Sequence, residues 1–225
     1  MKVCFVNGNV NTVWQEQLDA VSAQDIIVFG FGGLGLVSYK KELSGETEYF
    51  QDVASLSKQT QSVVICGCDT DNYGVYRHSI VIADKGKLLG VSDMAHSFDD
   101  SEFASGGNFR VYDTHVCKIG LIVSEDLYFP EVPRVLALCD ADLIVCVMKK
   151  ADNVMPTVML RAGAFANGVA MCLHSENYSC VSDIRGNVTG GNGKKVFKTE
   201  VKIEKDYRLI SSRRRGLYRE FHGGY

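Results

Sequence analysis

The chain has 225 residues, a formal net charge of -3, 46% hydrophobic residues and 23% charged residues. That apolar fraction, with 3 prolines, excludes a disordered chain, and the near-neutral balance argues against a dedicated nucleic-acid binder. One α/β domain spanning residues 1–225 is expected, with ample chain to bury a core.

Lys2–Val6 opens the chain as a β-branched strand. Asn11 or Thr12 is placed to cap a helix carrying Trp14, Leu18 and Val21 on one face. Asp25–Phe29 is a continuous apolar strand running into Gly30-Phe31-Gly32-Gly33. After Ser44, Tyr49, Val53 and Leu56 recur at helical spacing, and Ser62–Cys66 is again strand. Tyr76–Ala83 and Lys87–Val91 flank Asp84-Lys85-Gly86 as a hairpin. Arg110–Asp113 and Lys118–Val123 form a second such pair around His115 to Cys117. Val132–Cys139 is helical and Asp142–Val147 a fully apolar strand. Pro156 fits the first turn of a helix capped by Asn153, followed by Leu160, Ala164 and Asn167. Val169–Leu173 is strand, Cys180–Asp183 and Val188 flank a turn at Arg185-Gly186, and Thr199–Ile203 alternates as a late strand. Apolar strands crossed by helices imply buried, partly parallel sheets, and the hairpins make them mixed. The simplest architecture is a two-sheet α/β sandwich with helices outside.

The apolar run at the N-terminus is too short for a signal-peptide core, and no stretch reaches the ~18 apolar residues of a membrane span. A cytoplasmic protein with reduced thiols is expected. Cys4, Cys66, Cys139, Cys146 and Cys172 read as small core residues. Cys66-Gly67-Cys68 is C-x-C without a second pair at zinc-ribbon spacing, so neither a metal nor a cofactor is expected. Gly30-Phe31-Gly32-Gly33-Leu34-Gly35 satisfies G-x-G-x-x-G, but Leu36–Lys40 is no clear helix start, as a dinucleotide fingerprint would require. Arg213-Arg214-Arg215, with Tyr218 and Arg219, reads as a solvated tail or oligomer contact; the alternative is an anion or nucleic-acid patch.

One segment is more specific. Ile119-Gly120-Leu121-Ile122-Val123-Ser124-Glu125-Asp126-Leu127-Tyr128-Phe129-Pro130-Glu131 resembles the nucleophile motif of the nitrilase, or carbon–nitrogen hydrolase, superfamily: I-G-x-x-I-C-x-D-x-x-F-P-E. Gly90 to His96, followed by Phe98, resembles the segment carrying the family's lysine. Phe103 to Gly106 resembles its F-x-x-G loop, Arg161 to Asn167 its R-A-R-A-x-E-N, and Ser179 to Val188 its S-x-I-x-D-P-x-G-x-V, with Ile184 for proline. The resemblance implies an α-β-β-α sandwich in a single domain, trimmed in its first helix and between His174 and Ser179. It also implies a homodimer or larger assembly, with the tail from 204 to 225 available for oligomer contacts.

The family's chemistry uses a cysteine nucleophile, a glutamate base and a lysine for the oxyanion. At the matching positions this chain carries Ser124, Phe31 and Met94. Ala166 also replaces a glutamate in the R-A-x-x-x-E-N segment. A serine hydroxyl needs a base and an oxyanion partner, and phenylalanine and methionine supply neither. Removing one catalytic group costs ~10²–10⁴ in rate and a concerted set ~10⁶. Losing Glu and Lys together also avoids stranding either as an unpaired buried charge.

The expectation is a non-catalytic protein that binds a small molecule or serves another enzyme as partner or regulator. The alternative is a hydrolase of small amides or esters rebuilt around Ser124, with Glu125, Asp126, His96, Lys149 and His174 as candidate pocket residues and Asp93, Lys150 and Glu176 nearby. A bland reading makes Lys149-Lys150 solvated charges and Asp126 a structural carboxylate. A third possibility is an ordinary amidase using a displaced thiol, Cys68 or Cys146.

Overall fold

The computed structural model describes residues 1–16, 18–97, 102–152, 154–192 and 194–214. In chain order the elements are β1 (Lys2–Val6), α1 (Val10–Glu16), α2 (Leu18–Val21), β2 (Ile26–Phe29), β3 (Leu36–Ser38), α3 (Tyr39–Ser44), α4 (Tyr49–Thr60), β4 (Val63–Asn72), β5 (Val75–Asp84), β6 (Lys87–Asp93), β7 (Val111–Asp113), β8 (Lys118–Val123), α5 (Glu131–Leu138), β9 (Leu143–Val147), α6 (Met155–Asn167), β10 (Ala170–His174), β11 (Tyr178–Ser182), β12 (Val188–Asn192), β13 (Val196–Glu200) and α7 (Arg208–Ser211). Short 3-10 turns at Phe31–Gly33 and Ser124–Tyr128 follow β2 and β8.

Two mixed sheets result. One runs β13-β1-β2-β4-β5-β6, with β3 also paired to β4; the other runs β12-β11-β10-β9-β8-β7. Strand alternation divides the apolar residues into three layers. Val3, Phe5, Ile26, Val28, Val63 and Ile65 face Leu121, Val123, Leu143, Val145, Ala170 and Cys172 across the space between the sheets. Cys4, Val6, Ile27, Phe29 and Val64 turn outward beneath Val53, Ala54 and Leu56 of α4. Ile122, Ile144, Met171 and Leu173 turn outward beneath Leu136 of α5 and Leu160 of α6. The expected α-β-β-α sandwich is the observed one.

Several details differ from expectation. The first helix starts earlier, with the Asn9 side chain accepting the Asn11 N–H at 2.9 Å, so neither Asn11 nor Thr12 is its cap. The last strand of the first sheet begins at Val196 rather than Thr199, because Val196 to Glu200 pair with β1. β4 and β5 extend to a tight turn in which Tyr73 and Gly74 have φ of 53° and 90°. Lys85 and Gly86, at 47° and 87°, make the expected turn of the same kind. Cys139 is exposed just past α5, not in the core. The glycine-rich segment leads into β3 and not a helix, which removes the dinucleotide reading. Gly33 has a packing reason instead: a Cβ there would sit 2.4 Å from Cys66 Sγ. Asn153, Phe98, Arg215, Tyr218 and Arg219 lie outside the described residues, as does the tail from 215 onward. No described helix is long and apolar enough to cross a membrane.

Candidate active site

Ser124 directly follows β8 and starts the 3-10 turn. It is 2% exposed, with φ of 50°, in the left-handed region that costs a non-glycine residue ~1–2 kcal/mol. Its hydroxyl has no hydrogen-bond partner among the described residues. Asp126, two residues on, is 1% exposed. Its carboxylate accepts the N–H groups of Ala95 at 2.8 Å and His96 at 2.9 Å, and bonds His96 Nδ1 at 2.8 Å. Burial pushes the Asp126 carboxyl up, opposed by these same hydrogen bonds. His96 also stacks on Phe129, ring centroids 3.8 Å apart. Asp126 and Phe129 therefore bind the segment after Met94 to the turn that carries Ser124.

Phe31 and Met94 are each 4% exposed and belong to the cluster between the sheets. Both adjoin His78: Phe31 meets its ring edge-on at 5.6 Å, and the Met94 N–H donates to the His78 carbonyl at 2.9 Å. Phe31 also lies against Gly67, which leaves it room; a Cβ there would stand 3.1 Å from the Phe31 ring and 2.9 Å from Val147.

Lys149 is not a simply solvated charge. It crosses from the end of β9 to the other sheet, donating to Asp69 Oδ2 at 2.8 Å. Its ammonium stands 4.9 Å from the Phe103 ring centre and 5.6 Å from that of Phe31. The other Asp69 oxygen bonds His78 Nδ1 at 2.6 Å, and His78 stacks on Phe103 at 3.8 Å. Burial alone would raise the Asp69 carboxyl, but the bonds from His78 and Lys149 outweigh it and hold it below its ordinary value. Asp69 and His78 escape a reading by motif, yet they are Cα partners in the β4–β5 ladder. The signal was Asn72-Tyr73-Gly74-Val75: a two-residue turn at Tyr73-Gly74 sets that register.

His174 does not join Ser124. It is fully buried, with Nε2 3.1 Å from the Val6 carbonyl and Nδ1 2.8 Å from Ser179 Oγ. Burial lowers its pKa to about 4, so it is a neutral core histidine with both nitrogens committed. Glu125 is half-buried and Lys150 exposed. Glu176, also exposed, lines a cavity of about 130 Å³ with Asn7, Gly8, Gly30, Gly32 and Gly33. Asp93 accepts from Ser79 at 2.7 Å and faces Arg77.

The displaced-thiol candidates fare poorly. Cys68 and Cys146 lie fully buried in the clusters beneath the helices, not in the one holding Phe31 and Met94. Burial pushes both thiols well above the ordinary range. Among the described residues, no group of three or more His, Cys, Asp or Glu could hold a metal ion.

Comparison with known proteins agrees with this architecture. A Helicobacter pylori carbon-nitrogen hydrolase superposes with a TM-score of 0.78 over 97% of this chain and 96% of that one, at 17% identity. A cysteine-to-alanine mutant of the Nesterenkonia AN1 amidase from the nitrilase superfamily gives 0.77 over 96% and 95%, at 15% identity. A Schizosaccharomyces pombe protein named "Probable nitrilase" is 28% identical over 159 residues, 64% of this chain and 58% of that protein. A Pyrococcus abyssi protein named "Nitrilase" is 30% identical over 120 residues, 50% of this chain and 45% of that one. The match thus spans about half the length of these curated relatives. Residues 9–201 match the family described as Carbon-nitrogen hydrolase, and the chain belongs to that family.

Proposed function

We propose that this family member has given up the hydrolytic chemistry and acts by binding, either holding a small molecule or serving another enzyme as partner or regulator. The observation that carries the reading is the burial of Phe31 and Met94 in the apolar layer between the sheets. By resemblance these are the glutamate and lysine positions, and neither residue can move a proton or hold charge. Ser124, at the nucleophile position, is left without a base. The reading includes a reducing, cytoplasmic setting for the eight free cysteines. It also includes a homodimer or larger assembly, without metal or cofactor. Exposed Val135 and Leu138 on α5, and Val158 and Phe165 on α6, supply an apolar face for such an assembly.

The second reading, a hydrolase of small amides or esters rebuilt around Ser124, draws on one observation. Ser124 keeps a left-handed backbone and a hydroxyl without a partner among the described residues, features that accompany functional turns. His174, committed to Val6 and Ser179, is not available to it as a base.

Iodoacetamide labelling, mapped cysteine by cysteine, tests the proposal against an amidase with a displaced nucleophile. Exposed Cys139 should react first, and the buried cysteines only on unfolding. A single buried cysteine that reacts fastest in the native chain overturns the proposal.

A further inference from the structure

Asp69, His78, Lys149 and Phe103 form a polar cluster beside the apolar pair Phe31 and Met94, and the family's chemistry leaves it unexplained. Asp69 and His78 point to the inter-sheet side, in phase with Ile65 and Ile80 of the central layer. Lys149 arrives from the opposite sheet.

Hydrogen-bond valences remain open there. Asp69 spends one oxygen on His78 and the other on Lys149. With Nδ1–H turned to that carboxylate, His78 presents Nε2 outward. No described residue bonds Nε2, and the His78 side chain is 13% exposed. The Lys149 ammonium has three donors and uses one on Asp69; its side chain is 40% exposed. The ring of Phe103 packs against both His78 and Lys149.

An open ammonium calls for an acceptor oxygen. The half-buried ring of Phe103 beside the ammonium calls for a flat or aliphatic body. Lys149 and Asp69 cancel in charge, so an anion would leave the cluster negative unless His78 took up a proton. Protonated, His78 becomes a second donor through Nε2–H and neutrality is kept. The other charges nearby do not fill this role: Arg77 and Asp93 face each other, and Glu102, next to Phe103, is exposed.

We infer that this cluster binds a small monocarboxylate with an apolar body, one oxygen on Lys149 Nζ and the other on His78 Nε2, with a proton taken up from solvent. The inference rests on the binding role proposed above and names the ligand class.

Benzoate is the probe, titrated into the full chain while the His78 ring signals are followed by NMR, with benzyl alcohol as the uncharged control. Benzoate should move the His78 signals toward the protonated form, and benzyl alcohol should not. Affinity should fall as the pH rises, because the complex holds one proton more than the free chain. Lys149→Met should weaken binding at least tenfold, and Phe103→Leu less. His78 signals unmoved by millimolar benzoate in the native chain, or equal affinity in Lys149→Met, would overturn the site. Either result leaves the loss of hydrolysis standing. Amide turnover by the native chain would overturn that separate reading whatever benzoate does.

Discussion

The Asp126 carboxylate accepts the backbone N–H of Ala95 at 2.8 Å, tying the turn that carries Ser124 to the residue after Met94. Two segments that follow strands of different sheets are thereby held together. The consequence is that this part of the motif has work to do even without chemistry.

Asp126→Ala should accordingly cost about 2–4 kcal/mol. It strips partners from two backbone N–H groups and His96, and removes a charged acceptor from a buried site. Chemical denaturation measures this. A loss below about 0.5 kcal/mol would show that the clamp is dispensable.

His174 predicts a pH dependence. In the folded chain it stays neutral to about pH 4, against 6.5 for the unperturbed side chain, because burial penalises its charge. Between those values the unfolded chain binds more protons, so stability falls as pH falls from 6.5 to 4. The contribution is roughly 3 kcal/mol. Unfolding free energies of the native chain and of His174→Gln, measured from pH 7 to 4, should converge as the pH falls. A constant gap would contradict the assignment.

Restoring the family's residues tests the correspondence itself. Phe31→Glu alone places a carboxylate in an apolar layer and should cost about 3 kcal/mol or more. Adding Met94→Lys should recover part of that, with a coupling of about 1 kcal/mol or more in a double-mutant cycle. With both in place, the thiol of Ser124→Cys should react with iodoacetamide faster than in the single variant, because an ammonium nearby lowers a thiol pKa. Absence of coupling would mean that positions 31 and 94 do not share a site.

The exposed apolar face of α5 and α6 predicts self-association. Phe165, 56% exposed, is a suitable probe. Phe165→Glu should shift the sedimentation behaviour toward the monomer without changing the melting profile of the isolated sandwich. An unchanged assembly would place the contact elsewhere.

The parts of the site legible in the sequence are those with fixed spacing. Asp126 and Phe129 sit at set distances from Ser124, and the strands on either side have strong apolar runs. Cys68 and Cys146 were ambiguous until strand alternation placed them beneath the helices. His174 was misleading because its position at the end of β10 is shared with pocket residues. Only its bond to the Val6 carbonyl, 168 residues away, taken with that to Ser179, reveals it as a core residue. Asp69 and His78 were missed because their meeting depends on the register of a hairpin; Lys149 stood among the candidates, but its partner Asp69, 80 residues away, was not legible.

Ammonia release is the most direct measure of whether this chain hydrolyses amides. The native protein, incubated with butyramide and with a panel of small amides and nitriles, should release none above the uncatalysed background. Release that scales with protein concentration and disappears in Ser124→Ala would contradict the loss of catalysis.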